Sequence, residues 1–216
     1  MKNLFEQAIE VILKGDADKA AELARRGLDQ GLDALEFMDK GFIPAINNVG
    51  DLFEAGRVFL PGLIYSAKAM EKATEILNAA ISGGNAIVAG KVVIGTIEGD
   101  VHDIGKTIVV SLFNANGFDV LDLGRDVPIG RFIEEAEKFG ADIIGSSTLL
   151  TTTMAGQKKL EQELKSAGLK EKYKTIVGGA PVTQRWADRI GADAYAQDAG
   201  DGVKKAKQLL QKKSQP

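Results

Sequence analysis

Apolar residues in the first third of the chain recur at helical intervals. Leu4, Ala8, Ile9 and Ile12 stand at the i, i+4, i+5 and i+8 positions of one helix face. Gly15 ends that run, Asp16 is placed to cap an alanine-rich second helix reaching Leu28, and Gly31 closes it before Asp33 opens a third. Pro44 has no backbone N–H to contribute inside a helix, so the third is expected to break or kink near Phe42 and to resume as far as Glu54. Gly56 ends the resumed run and Pro61 sits where a first-turn proline belongs. Leu63, Ala67, Met70, Leu77 and Ile81 then share one face of a long last helix. The pattern predicts a small helical bundle over residues 1–83.

Ser82-Gly83-Gly84-Asn85 separates two differently periodic regions, so the reading places a linker over 84–90 and a second domain over 91–216. From Lys91 onward short apolar runs alternate with amphipathic stretches. The runs are Val92 to Ile97, Val120 to Leu123, Ile143 to Ser146, Thr175 to Val177 and a weak Ala192 to Ala196. Helices are expected at Gly105 to Asn116, Ile129 to Phe139, Met154 to Ala167, Val182 to Ile190 and Gly202 to Leu210. Strand–helix alternation implies right-handed crossovers and a parallel sheet covered on both faces. Five strands favour the flavodoxin-like, doubly wound α/β order over the six-stranded dinucleotide fold. Ligands of such sheets sit beyond the carboxyl ends of the strands. That singles out Glu98 to Gly105, Gly124 to Pro128, Ser147 to Thr153 and Gly178 to Thr183.

Charge and composition narrow the chemistry. The 216 residues hold 27 Lys and Arg against 30 Asp and Glu, a net charge of −3 without an obvious basic cluster, which argues against nucleic-acid binding. No run of about 18 apolar residues is present to span a membrane. The start, Met1 to Gly15, carries Glu6 and Glu10 where a signal peptide needs an unbroken apolar core, so a soluble cytoplasmic protein is expected. Without any Cys there is no disulfide, zinc ribbon, iron–sulfur ligation or thiol nucleophile, and all imidazole chemistry rests on one residue, His102.

His102 lies in Glu98-Gly99-Asp100-Val101-His102-Asp103-Ile104-Gly105-Lys106-Thr107, among carboxylates at a strand's carboxyl end. Four readings compete. A phosphate loop is suggested by Gly99 and Gly105-Lys106-Thr107, but five residues separate the glycines where that loop has four, and Asp100 and Asp103 would face the phosphates. A hydrolytic metal site on Asp-x-His would need further His ligands. A structural reading has Asp103 capping the next helix and His102 bonded to a carboxylate in a loop. In the fourth, His102 ligates a metal held by a cofactor, while Asp100 bonds the other ring nitrogen and fixes its tautomer.

Asp100-x-His102-x-x-Gly105, followed by Ser147-x-Leu149 and then Gly178-Gly179, resembles the signature of the cobalamin-binding domain of methionine synthase and of the small corrinoid methyl-carrier proteins. Gly50-Asp51-Leu52-Phe53 and Phe59-Leu60-Pro61, leading into the Met70 helix, resemble the helical cap that precedes that domain. Leu149 to Met154 and Gly178 to Thr183 look especially like the methylamine, methanol and methoxy-aromatic carriers. The resemblance covers nearly the whole chain.

It implies that the cofactor is cobalamin or a related corrinoid, with His102 as axial ligand to cobalt and the nucleotide tail in a slot of the sheet domain. Ser147, Leu149, Thr151, Gly178 and Gly179 would shape that slot, and Gly105 would serve the same purpose at the first helix. Thr153 falls where methionine synthase has a serine completing a His–Asp–Ser relay. The plainer reading of Thr151, Thr152 and Thr153 is that they cap the helix at Met154. Phe59, Leu60 and Met70 would cover the methyl-bearing face, although for Met70 the plainer reading as bundle core is favoured. The resemblance further implies a carrier between a substrate:corrinoid methyltransferase and a corrinoid:acceptor methyltransferase serving a thiol coenzyme or tetrahydrofolate, with a reductive activation protein. A cobalamin-dependent sensor or regulatory domain is the alternative. It normally carries a DNA-binding segment, and no helix-turn-helix candidate is left unassigned here.

Overall fold

A computed structural model describes residues 3–80 and 89–213. The chain divides into two compact units, one built on the N-terminal helices and one on a β-sheet. The expected boundary at Ser82 to Asn85, and Ile81 with it, lies outside the described residues.

The first unit consists of α1 (Leu4–Lys14), α2 (Ala17–Asp29), a short α3 (Ala34–Phe37), α4 (Ile43–Glu54) and α5 (Leu60–Ala80). Polar side chains start the early helices as the sequence suggests. Asn3 and Glu6 form a capping box on α1, and the Asp16 and Asp33 carboxylates accept from the amides of Lys19 and Glu36. The α-helix is interrupted near Phe42, as expected from Pro44, and the interruption is a π turn. Met38–Phe42 forms this π-helical turn joining α3 to α4, in which the Ile43 amide donates to the Met38 carbonyl, so the chain stays helical through Pro44. A single wide turn is the usual way a helix absorbs such a residue.

Phe37 is fully buried at the centre of this bundle, 4.9 Å from the Phe42 ring and 5.5 Å from Phe5. Its ring lies where a Cβ on Gly27 would stand, which explains a glycine inside α2 despite the roughly 1 kcal/mol such a residue costs a helix.

In the second unit, β1 (Gly90–Thr96), β2 (Phe118–Asp122), β3 (Ile143–Ser147), β4 (Lys174–Gly178) and β5 (Ala194–Ala196) form a wholly parallel sheet in the order β2-β1-β3-β4-β5. This is the flavodoxin-like order, in which strand order switches sides between β1 and β3 while all strands stay parallel. The connecting helices are α6 (Ile104–Ala115), α7 (Ile129–Phe139), α8 (Met154–Ser166), α9 (Gln184–Ile190) and α10 (Ala199–Lys213). Phe132 and Ala136 of α7 and Leu160 and Leu164 of α8 close over Val93 of β1 and Ile144 of β3. Ala187 and Ile190 of α9 pack with Val177 of β4, and α10 packs beside β4 and β5.

The weak fifth strand is held by charge. Asp193, just before it, accepts from the Thr175 amide at 2.9 Å and from Lys170 at 2.7 Å, and Lys170 also meets the buried Glu161 at 2.8 Å. Burial works against the ionised Asp193, but the Lys170 and Thr175 hydrogen bonds outweigh it and hold the carboxyl below its usual range. Helix α10 begins earlier than its apolar period suggests, because Asp198 accepts from the Asp201 amide at 2.7 Å and caps an additional turn. Helix α9 begins later than the reading placed it, at Gln184, because the Thr183 hydroxyl takes the Trp186 amide as an N-cap.

Gly27→Ala should destabilise the protein by about 1–3 kcal/mol, since overpacking against Phe37 outweighs the gain in helix propensity. Urea unfolding checks this, and adding Phe37→Leu to the same chain should recover most of the loss.

Candidate functional site

The loops after β1 and β3 meet at the carboxyl edge of the sheet, where strand register brings Thr96 beside Ser147. Asp100 lies between these loops, fully buried. Its Oδ1 accepts from the His102 amide at 3.1 Å and contacts the His102 ring at Nδ1, 3.0 Å away. Its Oδ2 accepts from the Leu149 amide at 2.7 Å, the Leu150 amide at 3.2 Å, the Thr153 hydroxyl at 2.9 Å and the Thr148 hydroxyl at 3.2 Å. One carboxylate thus ties the two loops together.

Burial alone would raise the pKa of Asp100. The amides of Leu149 and His102, the His102 ring and the Thr153 hydroxyl outweigh that effect and hold the carboxyl well below the usual carboxylate range. An ionised Asp100 has no proton to give. The Nδ1 contact is therefore a hydrogen bond donated by His102, and in the neutral imidazole this tautomer leaves Nε2 as the acceptor. The imidazole is about half exposed, whereas the acid that orients it is not exposed at all.

The surroundings suit a large, partly apolar ligand. Val101, Ile104, Leu149 and Leu150, on the same two loops as His102, are exposed large apolar side chains. Nothing lies within 4 Å of the place a Cβ on Gly105 would occupy, so the backbone there is open to an approaching group. At Gly179 the space is taken by the chain itself: φ is +122° and a Cβ would collide with the Thr148 backbone, so this glycine seats the loop after β4 against the loop after β3. Gly178 ends β4 beside Ser147, which is half-buried, and Thr151 is exposed in the turn before α8. Thr153 precedes Met154 without capping α8; its hydroxyl is spent on Asp100 and on the Leu150 carbonyl. In the helical unit Phe59 is exposed, Leu60 opens α5 half-buried, and Met70 is buried.

Two competing readings of the His102 loop find no support. Lys106 is buried and engaged by Asp103 at 2.9 Å and by both Asp122 oxygens at 2.6 and 2.5 Å, so it is not presented to a phosphate. Among the described residues no group of three or more His, Cys, Asp or Glu side chains could hold a metal ion.

Three site residues escaped the sequence reading. Thr148 is buried against Asp100, but a hydroxyl inside the run Ser146-Ser147-Thr148-Leu149 carries no mark of which face it takes. Asp126, at φ 53°, accepts from the Gly99 amide at 2.7 Å while its own amide donates to the Asp100 carbonyl at 3.0 Å. An aspartate within a predicted ligand-side loop was the available signal. Gln157 is buried on α8, donates to the carbonyls of Ser146 and Gly178, and accepts from the Trp186 ring. Its place at the polar edge of an amphipathic helix concealed it.

A flavodoxin-like sheet with one acid-oriented imidazole at its ligand edge defines a cofactor-binding α/β protein. Residues 90–206 match the B12 binding domain, and residues 4–78 match a second family with the same description. Trimethylamine corrinoid protein 1 of Methanosarcina acetivorans is 46% identical over 97% of this chain and 98% of its own length. A cobalamin-binding protein from Desulfitobacterium hafniense, known from a crystal structure, is 30% identical with a TM-score of 0.78, over 96% of this chain and 98% of that one. A chain of the methanol:cobalamin methyltransferase complex of Methanosarcina barkeri is 31% identical with the same TM-score of 0.78, over 99% of this chain and 85% of that one. The chain belongs to the B12-binding family, and its cofactor is cobalamin or a related corrinoid. No helix among the described residues is long and apolar enough to cross a membrane.

Because folding depresses the pKa of Asp100, this group contributes stability that is fully present above its ordinary value of 3.8 and is lost as pH falls through the lower folded value. Asp100→Asn should therefore be less stable than wild type near pH 7, by about 2–3 kcal/mol if one charged hydrogen bond is lost. The gap should narrow below pH 3.8, which denaturant titrations of the two proteins at neutral and acid pH would register.

Proposed function

We propose that this chain carries a methyl group on its corrinoid between two methyltransferases, one loading it from a small donor and one unloading it to a thiol coenzyme or tetrahydrofolate. The observation that carries the proposal is the Asp100–His102 pair, an imidazole oriented by a buried carboxylate within the stretch that matches the B12 binding domain. The bound corrinoid supplies a cobalt atom able to take up and give up a methyl group. His102 Nε2 would hold the cobalt, with Asp100 bonding Nδ1 and so fixing the orientation of the ring. Gly105, Ser147, Leu149 and Thr151 would border the cofactor and its tail, and Gly178 and Gly179 the loop beside them.

The chain offers little with which to activate a stable C–N or C–O bond itself, having one His, no Cys and, in the His102 loop, carboxylates already engaged in orienting that ligand or in holding Lys106. Donor recognition then belongs to a partner methyltransferase, and a reductive activation protein restores the reactive cobalt state when it is lost. Methylamines are the donor class the proposal favours, by likeness to the trimethylamine corrinoid protein.

Reduced holoprotein should remain unmethylated when mixed with methylamines, methanol, betaine or methoxy-aromatics alone, and should methylate with one of them once its methyltransferase is added. Absorption spectroscopy follows the change; rapid methylation by a donor without added protein would make the chain an enzyme in its own right. His102→Ala should alter the cobalt(III) spectrum and remove histidine nitrogen splitting from the electron paramagnetic resonance of the cobalt(II) form. Identical spectra in wild type and variant would reject the ligand assignment.

A further inference from the structure

Asp100 Oδ2 faces more donors than it needs. The Leu149 and Leu150 amides have fixed N–H directions, whereas the Thr148 and Thr153 hydroxyls rotate. Each hydroxyl has two acceptors besides its partner: Asp100 Oδ2, at 3.2 Å for Thr148 and 2.9 Å for Thr153, and the Leu150 carbonyl, at 3.2 and 2.9 Å. The two hydroxyls also contact one another. Thr148 is 1% exposed, so water does not compete for its proton. When one threonine donates to the other, a single hydroxyl proton remains to be placed, either on the carboxylate or on the carbonyl.

That choice bears on the imidazole. A hydroxyl proton on Oδ2 draws charge from the carboxylate and weakens the bond that Oδ1 accepts from His102 Nδ1–H. A proton turned to the Leu150 carbonyl returns the charge to Oδ1. No heavy atom has to move between the two arrangements, and the networked hydroxyls polarise each other in a dry site.

We infer that Thr148 is a positioning residue for His102, its buried hydroxyl sharing with Thr153 a proton that is divided between Asp100 and the Leu150 carbonyl and that sets how strongly Asp100 holds the imidazole. This rests on the assignment of His102 as axial ligand. Thr148→Val removes the hydroxyl and nearly keeps the shape. The Thr153 hydroxyl keeps its proton but loses the partner that polarises it and donates less strongly to Oδ2, so Oδ1 carries more charge, Nε2 would be the better donor to cobalt, and the oxidised side of the cobalt(II)/cobalt(I) couple would be favoured. Groups that support a metal ligand typically change affinity by about 10- to 100-fold. At the lower bound, tenfold in a one-electron couple moves the potential by about 59 mV. Thr148→Val should therefore be more negative than wild type by about that amount, Thr153→Val should move the same way, and Thr148→Ser should match wild type.

The experiment is spectroelectrochemical titration of cobalamin-loaded wild type, Thr148→Val, Thr148→Ser and Thr153→Val at one pH, with electron paramagnetic resonance of each cobalt(II) form. Thr148→Ala replaces the valine variant should that not fold. Histidine splitting absent from wild type would remove the ligand assignment itself, whatever the potentials. Splitting present in wild type, with a Thr148→Val potential equal to wild type or equally displaced in Thr148→Val and Thr148→Ser, would leave ligation intact and overturn the role of the Thr148 hydroxyl. In the apoprotein, the Nδ1 proton resonance of His102 should move downfield in Thr148→Val and stay in place in Thr148→Ser; an unmoved resonance counts against the inference.

Discussion

A carboxylate without solvent contact is destabilised by its own charge unless the protein replaces the lost water, and at Asp100 it does so with donors from two different loops. The loop after β1 serves one oxygen and the loop after β3 serves the other. The remaining features of the ligand edge follow from this division. Gly179 lets the loop after β4 approach Thr148, Gln157 ties the ends of β3 and β4 to α8, and Asp126 brings the loop after β2 against Gly99. The imidazole that Asp100 orients is about half exposed at this edge.

Charge placement also separates this loop from a phosphate site of similar outline. A phosphate cradle presents amides and a lysine to an anion, whereas here the anion is part of the protein and has already taken the amides. The neighbouring Lys106 is neutralised by Asp103 and Asp122. What remains is an imidazole, about half exposed, beside exposed apolar side chains.

Much of the fold was legible because periodicity is a local property. The first capped helices and the strand–helix alternation could be read directly from spacing and from polar residues before apolar runs, and strand number pointed to the observed order. The form of the transition through Pro44 was not, since a break and a single π turn satisfy the same missing amide and only packing around Phe37 and Phe42 distinguishes them. The late start of α9 and early start of α10 turned on Thr183 and Asp198, single capping side chains. At the site, Asp100 and His102 were marked by motif, and their 3.0 Å contact needs no distant part of the chain. Thr148 and Gln157 were silent because their importance depends on which strand lies beside which, and that information appears only in the assembled sheet.

The partners of Asp100 Oδ2 stand 48 to 53 residues further along the chain, and α6, β2 and α7 lie between. Their hydrogen bonds cannot form until β3 has docked beside β1 in the register that sets Thr96 against Ser147. Closing so long a segment is an entropic obstacle that local helix formation does not face. Before that event nothing from the β3 loop holds Asp100, so the side chain that orients His102 is itself unfixed. In a nascent chain, therefore, Asp100 gains its β3-loop donors only after the central strands have paired, which makes the orientation of His102 a late feature of folding.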